Sequence, residues 1–450
     1  MSEEATLDEF AESSYTDNSQ ERKETPVGEL PTDWNVEWLK DVVEINPDGF
    51  FEDDWPSETF EYISLSEASD GKIEDSQTIF LEDAPSRAQR TVQPGDVLVG
   101  TVRPKQRSHS FVGEEHAGKV CSSGFGVLRT ETQLNSRYLL QEILSNRFFS
   151  QMEAYVAGSG YPSVKISDLK KHRVAIPPLP EQRKIATVLY TVDRIIEKTE
   201  EIIDQTERVR RGYIKQQVLA LNSDCDRQEG VVGTRRVSIP KYWETLRLGD
   251  VARIVSGKSF PKEYQEGNAG SRAVIKVEDM NLSGNDKYIR KVTNRVTNDV
   301  INELSKNIFP ENTVIHPRVG EALLLNKTRI TGEDAAFDDN IMGWVPKGID
   351  PEYLYYASTL IDFNAVAQTG TVPSINKAMA ANFRFPLPPE EEQKRIAENI
   401  SRVDGQISIY EEEKSRLKRL KRGLMQDLLS GTVRTTDTNI EVPDEVAHHG

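Results

Sequence analysis

The chain is written twice, and no other feature limits its fold as much. Residues 181–186 read EQRKIA and residues 392–397 read EQKRIA, a separation of 211 that then holds without insertion for some forty positions. In that register Ile185 falls on Ile396, Val192 and Asp193 on Val403 and Asp404, Ile196 on Ile407, and Arg211 and Gly212 on Arg422 and Gly423. Upstream, Pro162 and Ser163 return as Pro373 and Ser374, and Pro177 and Pro178 as Pro388 and Pro389. Leu30, Pro31, Trp34, Leu39 and Asp41 return as Ile239, Pro240, Trp243, Leu248 and Asp250, marking where each copy begins. Between these anchors the copies differ almost everywhere. The period is far too long for a solenoid, so the chain is a tandem duplication of one module with a constant frame and a variable interior.

Each module has two physically different halves. After Pro178 and Pro180, Ile185, Leu189, Val192, Ile196 and Ile203 form an apolar stripe among charges, the pattern of a long amphipathic helix. The second copy places Ile396, Ile400, Val403, Ile407, Tyr410, Leu417, Leu424 and Leu428 in the same phase, which over several heptads is coiled-coil spacing. Prolines followed at once by glutamates mark both starts, because proline suits the first turn and acids the positive end of the dipole. The residues expected to pair the helices are Ile185, Leu189, Val192 and Ile196 with Ile396, Ile400, Val403 and Ile407.

The other halves read as mixed α and β. Tyr62–Leu65, Val97–Val102, Val274–Val277 and Glu321–Leu325 are short, apolar and bounded by turn residues, as strands are. Tyr138–Leu144 and Tyr353–Leu360 read as short helices. The expected fold class is α/β: two globular domains, 30–178 and 239–387, alternating with long helices over 179–222 and 388–431. Residues 223–238 are expected as a linker, and 1–29 and 432–450 as disordered tails. If the stripes bury each other, the simplest arrangement is an antiparallel coiled coil with internal pseudo-two-fold symmetry. It would hold two heads facing one way at a separation set by helix length, as in dimeric DNA readers whose symmetry mirrors their half-sites.

The frame GELPTDW from Gly28, SGYPSVKISDLKKHRVAIPPLPEQRKIA from Ser159, TGTVPSINKAMAANFRFPLPPEEEQKRIA from Thr369 and KRGLMQDLLSGTVR from Lys421 resembles the specificity subunit of Type I restriction-modification systems. The likeness runs from about Gly28 to Arg434. It implies a non-catalytic subunit in which each globular domain is a target recognition domain for one half of a bipartite double-stranded DNA site and the helices set the spacer. It further implies methyltransferase subunits, two of them, that bind S-adenosylmethionine and methylate adenine, and a restriction subunit that uses ATP and Mg2+ to translocate and cut. No cofactor is expected on this chain. A modification-only assembly, or a scaffold whose heads bind protein, are the alternatives.

Charge argues against DNA at first sight: 56 Lys and Arg face 73 Asp and Glu, a net charge of −17, whereas DNA readers usually carry a basic footprint. Residues 1–29 hold nine acids against two bases and residues 431–450 four against one, so the tails account for −10 of that charge. The remainder is read as adaptation to a high-salt cytoplasm, with an ordinary acidic surface whose partners supply the cations as the alternative. Cys121 and Cys225 form no CxxC, so neither a zinc site nor a disulfide framework is expected. With no phosphate-binding GxxxxGK[ST] loop, no long apolar run and no signal peptide, the expectation is a soluble, cytoplasmic protein without a motor or methyltransferase of its own. Asn46 and Pro47 begin like an adenine-methyltransferase motif, but Asp48 and Gly49 follow.

Candidate DNA contacts are cationic. In the first head these are Arg103, Lys105 and Arg107, with His109 beside them, together with Lys119 and Arg137. A solvated loop is the plainer alternative for the first group. In the second head they are Lys258, Lys262, Lys276, Arg318, Lys327 and Arg329. The recurrent loop at Gly158–Ser163 adds Tyr161 and Lys165, and its partner Thr369–Ser374 adds Lys377. Because they recur, packing of head on helix is expected for these segments, with base reading as the alternative.

Overall fold

Both proline-marked helices form, over Leu179–Val218 and Glu390–Leu429, forty residues each, or roughly 60 Å at 1.5 Å per residue. The computed structural model describes residues 21–51, 55–156, 162–264, 270–368 and 372–447. The two helix starts are anchored alike. Gln182 accepts from the Asn135 amide at 2.8 Å and donates to the Pro177 carbonyl at 2.9 Å. Gln393 accepts from the Asp350 amide and donates to the Pro388 carbonyl, both at 2.8 Å.

The helix ends match as well. Ala220 and Gly431 take positive φ, 45° and 66°, the left-handed turn that stops a helix. At Gly431 a side chain would lie 2.5 Å from the Pro31 ring, so glycine serves close approach as well as backbone. An arginine then caps the freed carbonyls: Arg227 donates to Ala220 and Leu219 O at 2.8 and 2.9 Å, and Arg22 to Gly431 and Ser430 O at 3.3 and 3.2 Å. Cations suit that end of the dipole. The repeat therefore begins at Arg22 and Arg227, upstream of the expected boundary.

The chain divides into two compact units, Met1–Glu201 with Glu412–Gly450, and Ile202–Glu411. Each contains one head, the first half of its own helix and the last half of the other. In the first unit an antiparallel sheet runs His109–Phe111, Val97–Gly100, Phe125–Thr130, Val43–Ile45. A second sheet holds the parallel pair Thr59–Ile63 and Val120–Ser122. The second unit repeats the first sheet as Arg329–Thr331, Val314–Pro317, Ile341–Pro346, Ala252–Ser256, with Tyr288–Ile289 added at the edge. It repeats the parallel pair as Arg272–Ile275 with Ala335–Phe337. The mixed α/β class and the helix pairs are as the sequence reading expects; the shared topology emerges only here.

Within each unit the helices run antiparallel. Val192 and Ile196 pack on Leu417. Ile185 and Leu189 share a core with Leu428, Trp34 and Tyr138, and Ile396 and Ile400 share one with Ile214, Val218, Trp243 and Tyr353. The first turns of each stripe thus bind their own head and the other helix together. Val403 and Ile407 depart from expectation: both are only half-buried and lie in none of the cores. The first helix supplies TERVRR over residues 206–211, whose long polar side chains keep that stretch from forming a dry layer.

Four further expectations are corrected. Residues 1–29 do not form a tail throughout, since Arg22–Thr25 pairs with Gly28–Pro31; residues 1–20 lie outside the described part. The linker 223–238 contains most of the hairpin Arg227–Val232 with Arg235–Pro240. The tail 432–450 is packed as far as it is described, with Ile440 and Val446 in the first core. Glu321–Leu325 is not a strand but a helical turn over Glu321–Leu324. A short apolar run cannot declare its period, and Glu, Ala and Leu are helix formers.

Candidate nucleic-acid interface

In the first unit the buried inner strand Val97–Gly100 leads into the cationic segment. That loop is pinched at its root, where the Gly100 amide donates to Ser108 O at 2.8 Å and to His109 Nδ1 at 3.2 Å. A Cβ on Gly100 would sit 2.6 Å from that same carbonyl, so glycine is what allows the closure. Arg103 and Arg107 both take left-handed backbone, φ 49°, turning the loop outward around the short helix Pro104–Gln106.

The recurrent Pro-Ser segment forms the other side of this loop. Val102 bridges Ser163, the Arg103 amide donates to Pro162 O at 2.8 Å, and the Val164 amide donates to Thr101 O at 2.9 Å. The second unit repeats each bond after the strand Val314–Pro317: Val319 bridges Ser374, the Gly320 amide reaches Pro373 O at 2.9 Å, and the Ile375 amide reaches Arg318 O at 3.0 Å. Gly320 has φ 75° where Arg103 has 49°. The Pro-Ser recurrence is therefore a clasp on the loop leaving the inner strand, and not the head-on-helix packing expected for it. Gly158–Tyr161, including the candidate Tyr161, and Thr369–Thr371 lie outside the described residues.

This clasp brings some candidates together and separates others. Arg103, Lys105 and Lys165 are exposed on adjoining segments. Arg107 is half-buried, with its guanidinium 4.4 Å from the Phe149 ring centre and bonded to Asn146 at 2.8 Å. In the second unit Arg318 and Lys377 flank the clasp, and Arg318 Nε is buried without a hydrogen-bond partner among the described residues.

The remaining candidates sit elsewhere. Lys119 donates to Ser76 Oγ at 2.9 Å beside Glu61. Lys258 donates to Ser305 O at 3.2 Å, Lys276 pairs with Glu278 at 3.5 Å, and Lys327 is bonded to Asn281. Lys262 is exposed in the short helix Lys262–Tyr264. Arg329 is committed to backbone, donating to Met280 O at 3.0 Å, Thr328 O at 2.8 Å and Asn285 O. Arg137 is likewise structural, with its guanidinium lying against Phe111 and Tyr190 and bonded to Glu445 O at 3.0 Å. His109 lines no groove: it is buried against Phe148, and burial pushes its pKa down to about 4.

Among the described residues there is no cluster of three or more His, Cys, Asp or Glu placed to hold a metal, and no helix long and apolar enough to cross a membrane. Burial raises the Cys121 thiol to about 12, so it is inert as a nucleophile.

Two heads of one topology, each presenting a differently filled loop on the same clasp, define a two-domain reader. The family model described as the type I restriction modification DNA specificity domain matches residues 31–208 and again 240–419, and the chain belongs to that family. The type I restriction enzyme MjaIX specificity subunit of Methanocaldococcus jannaschii is 22% identical over 93% of this chain and 97% of its own length. The MjaVIII specificity subunit of the same organism is 23% identical over 73% and 78%. The crystal structure of a type I system S subunit from M. genitalium shares the fold at TM-score 0.53 and 15% identity, covering 90% of this chain and 98% of that one. A chain from a structural study of complex assembly and conformational transition of the type I R-M system aligns at TM-score 0.54 and 21% identity, over 90% and 99%.

Proposed function

We propose that the chain is the sequence-reading subunit of a Type I restriction-modification complex, non-catalytic itself, with each head reading one half of a bipartite DNA target. The observation that carries this is the clasp. Its backbone bonds are the same in both units, while the loop it holds reads TVRPKQRS from Thr101 in one and RVGEALLL from Arg318 in the other. Backbone and phosphate contacts position a reader, and side chains at base edges specify the sequence, so a constant clasp around a variable loop gives common placement with separate specificity. Arg103, Lys105 and Lys165 in one unit, and Arg318 and Lys377 in the other, are the cations best placed to approach DNA.

The paired helices set the spacer between half-sites. Methyltransferase subunits carrying S-adenosylmethionine modify adenine, and a restriction subunit driven by ATP with Mg2+ cuts unmodified DNA. The test is to express the chain with its methyltransferase partner in a methylation-free host and map modified adenines by single-molecule sequencing. A split motif that vanishes when this chain is omitted supports the reading. A continuous motif, or methylation independent of this chain, overturns it.

A further inference from the structure

The two units differ at one place where the repeat leads one to expect the same structure. In the first unit, Trp34 Nε1 donates to Glu181 at 3.0 Å, and Arg434 from the C-terminal segment closes over the same carboxylate with two bonds of 2.7 and 2.8 Å. Arg434 also reaches Asp33 at 2.7 Å, while Lys184 holds the carbonyls of Thr436 and Thr438 at 3.1 and 2.7 Å. Glu181 and Arg434 side chains are each 2% exposed. A segment that turns at Thr435–Thr438 is thus seated by one bidentate arginine and a lysine that binds its backbone.

The second unit has the equivalent carboxylate without the segment, and there Glu392 accepts from Arg395 of its own helix at 3.0 Å and from the Tyr242 hydroxyl at 3.3 Å. Trp243 Nε1 donates to Glu392 at 3.1 Å, and Arg395 stands in register for Lys184. The position of Arg434 is taken by Ser223, whose hydroxyl bonds back to Ala220 O at 2.7 Å. The chain then enters the hairpin at Arg227, so nothing corresponds to Thr435–Ala447. What remains is an open cleft of about 590 Å³ lined by Tyr242, Glu391, Glu392, Lys394, Arg395 and Glu398. Tyr242 is 57% exposed there, and acids outnumber bases along the lining.

We propose that this cleft is a docking site for an arginine-bearing segment of another protein, whose guanidinium takes the place on Glu392 now held by Arg395 and releases Arg395 for the segment's carbonyls, as Arg434 and Lys184 act in the first unit. Complementarity favours this occupant: a carboxylate fork aligned by an indole N–H matches the planar guanidinium, and the flanking cation, once released from Glu392, donates to main-chain carbonyls. The described C-terminal segment of the same molecule is already committed to the first unit.

The probe is a labelled peptide of the sequence TVRTTDT, residues 432–438, titrated into the full chain by fluorescence anisotropy, with amide exchange to locate it. Saturable binding is expected, with protection over residues 390–398 and around Tyr242. Replacing the peptide arginine by alanine, or introducing Glu398→Lys or Tyr242→Ala on the exposed rim, should weaken it roughly tenfold or more. These rim variants leave the Trp243–Glu392 bond in place, whereas Glu392→Gln risks the fold. Absence of saturable binding, equal binding by the alanine peptide, or protection appearing instead around Glu181 would each overturn the proposal.

Discussion

Asp404 accepts a hydrogen bond from Arg210 Nε of the other long helix at 2.5 Å. Its second oxygen accepts from the Tyr356 hydroxyl of the head at 2.5 Å, so one carboxylate ties head, own helix and partner helix. The register that relates the repeats carries the arrangement to the first unit. Asp193 there meets Lys421 at 2.6 Å and Gln141 of the head at 3.3 Å. Lys421 is Arg210 displaced by the same 211 positions.

Asp404→Ala should therefore cost about 2 kcal/mol of stability, the scale of a charge-assisted hydrogen bond at a half-buried site. Asp404→Asn should cost less because it keeps an acceptor. Urea denaturation of the full chain measures both, and equal stabilities for Ala and wild type would remove the joint.

Arg434→Ala leaves the buried Glu181 carboxylate without its cation. Breaking a buried pair from one side typically costs about 3–5 kcal/mol, so the first unit should lose amide protection around Trp34 while the second keeps its own. The double change Arg434→Met with Glu181→Gln should recover much of the loss, since it strands no charge. Failure of the double variant to exceed the single one would contradict this account.

His109 and His316 are held by burial at pKa values of about 4, below the ordinary 6.5. The unfolded chain binds these protons and the folded chain does not, so their contribution is full above pH 6.5 and is lost as pH falls toward 4. Across that window each histidine should withdraw about 3 kcal/mol. His316, stacked on Phe363 and edge-on to Trp344, is the cleaner probe. Replacing it by Phe should flatten the acid limb of stability measured by urea midpoints between pH 7.5 and 4.5.

Cations on the clasp and cations inside the heads should separate in DNA binding. Lys105→Ala and Lys377→Ala should each lower the slope of log K against log salt by about one if they contact phosphate, and each should affect only one half-site. Arg329→Ala should reduce stability instead, because its guanidinium supports carbonyls of Met280, Thr328 and Asn285. Loss of stability without change in slope for the clasp lysines would move the interface elsewhere.

The frame was legible in the chain because repetition and periodicity are local properties. The register of 211, the prolines before each helix and the apolar stripe over Ile185–Ile196 announce themselves without a structure. Position within a head was not legible. Arg103 and Arg329 are both arginines near strands, yet one is exposed on a left-handed turn and the other is spent on carbonyls. The Pro-Ser clasp joins residues 61 positions apart in one unit and 55 in the other, and the Glu181–Arg434 pair joins residues 253 apart. The sequence alone determined the duplicated architecture and the two long helices, since these follow from patterns that neighbouring residues carry. Only the tertiary structure decided which cations face outward, where the Pro-Ser repeat acts and which unit the C-terminal segment covers, because burial and partnership are set by residues distant in the chain.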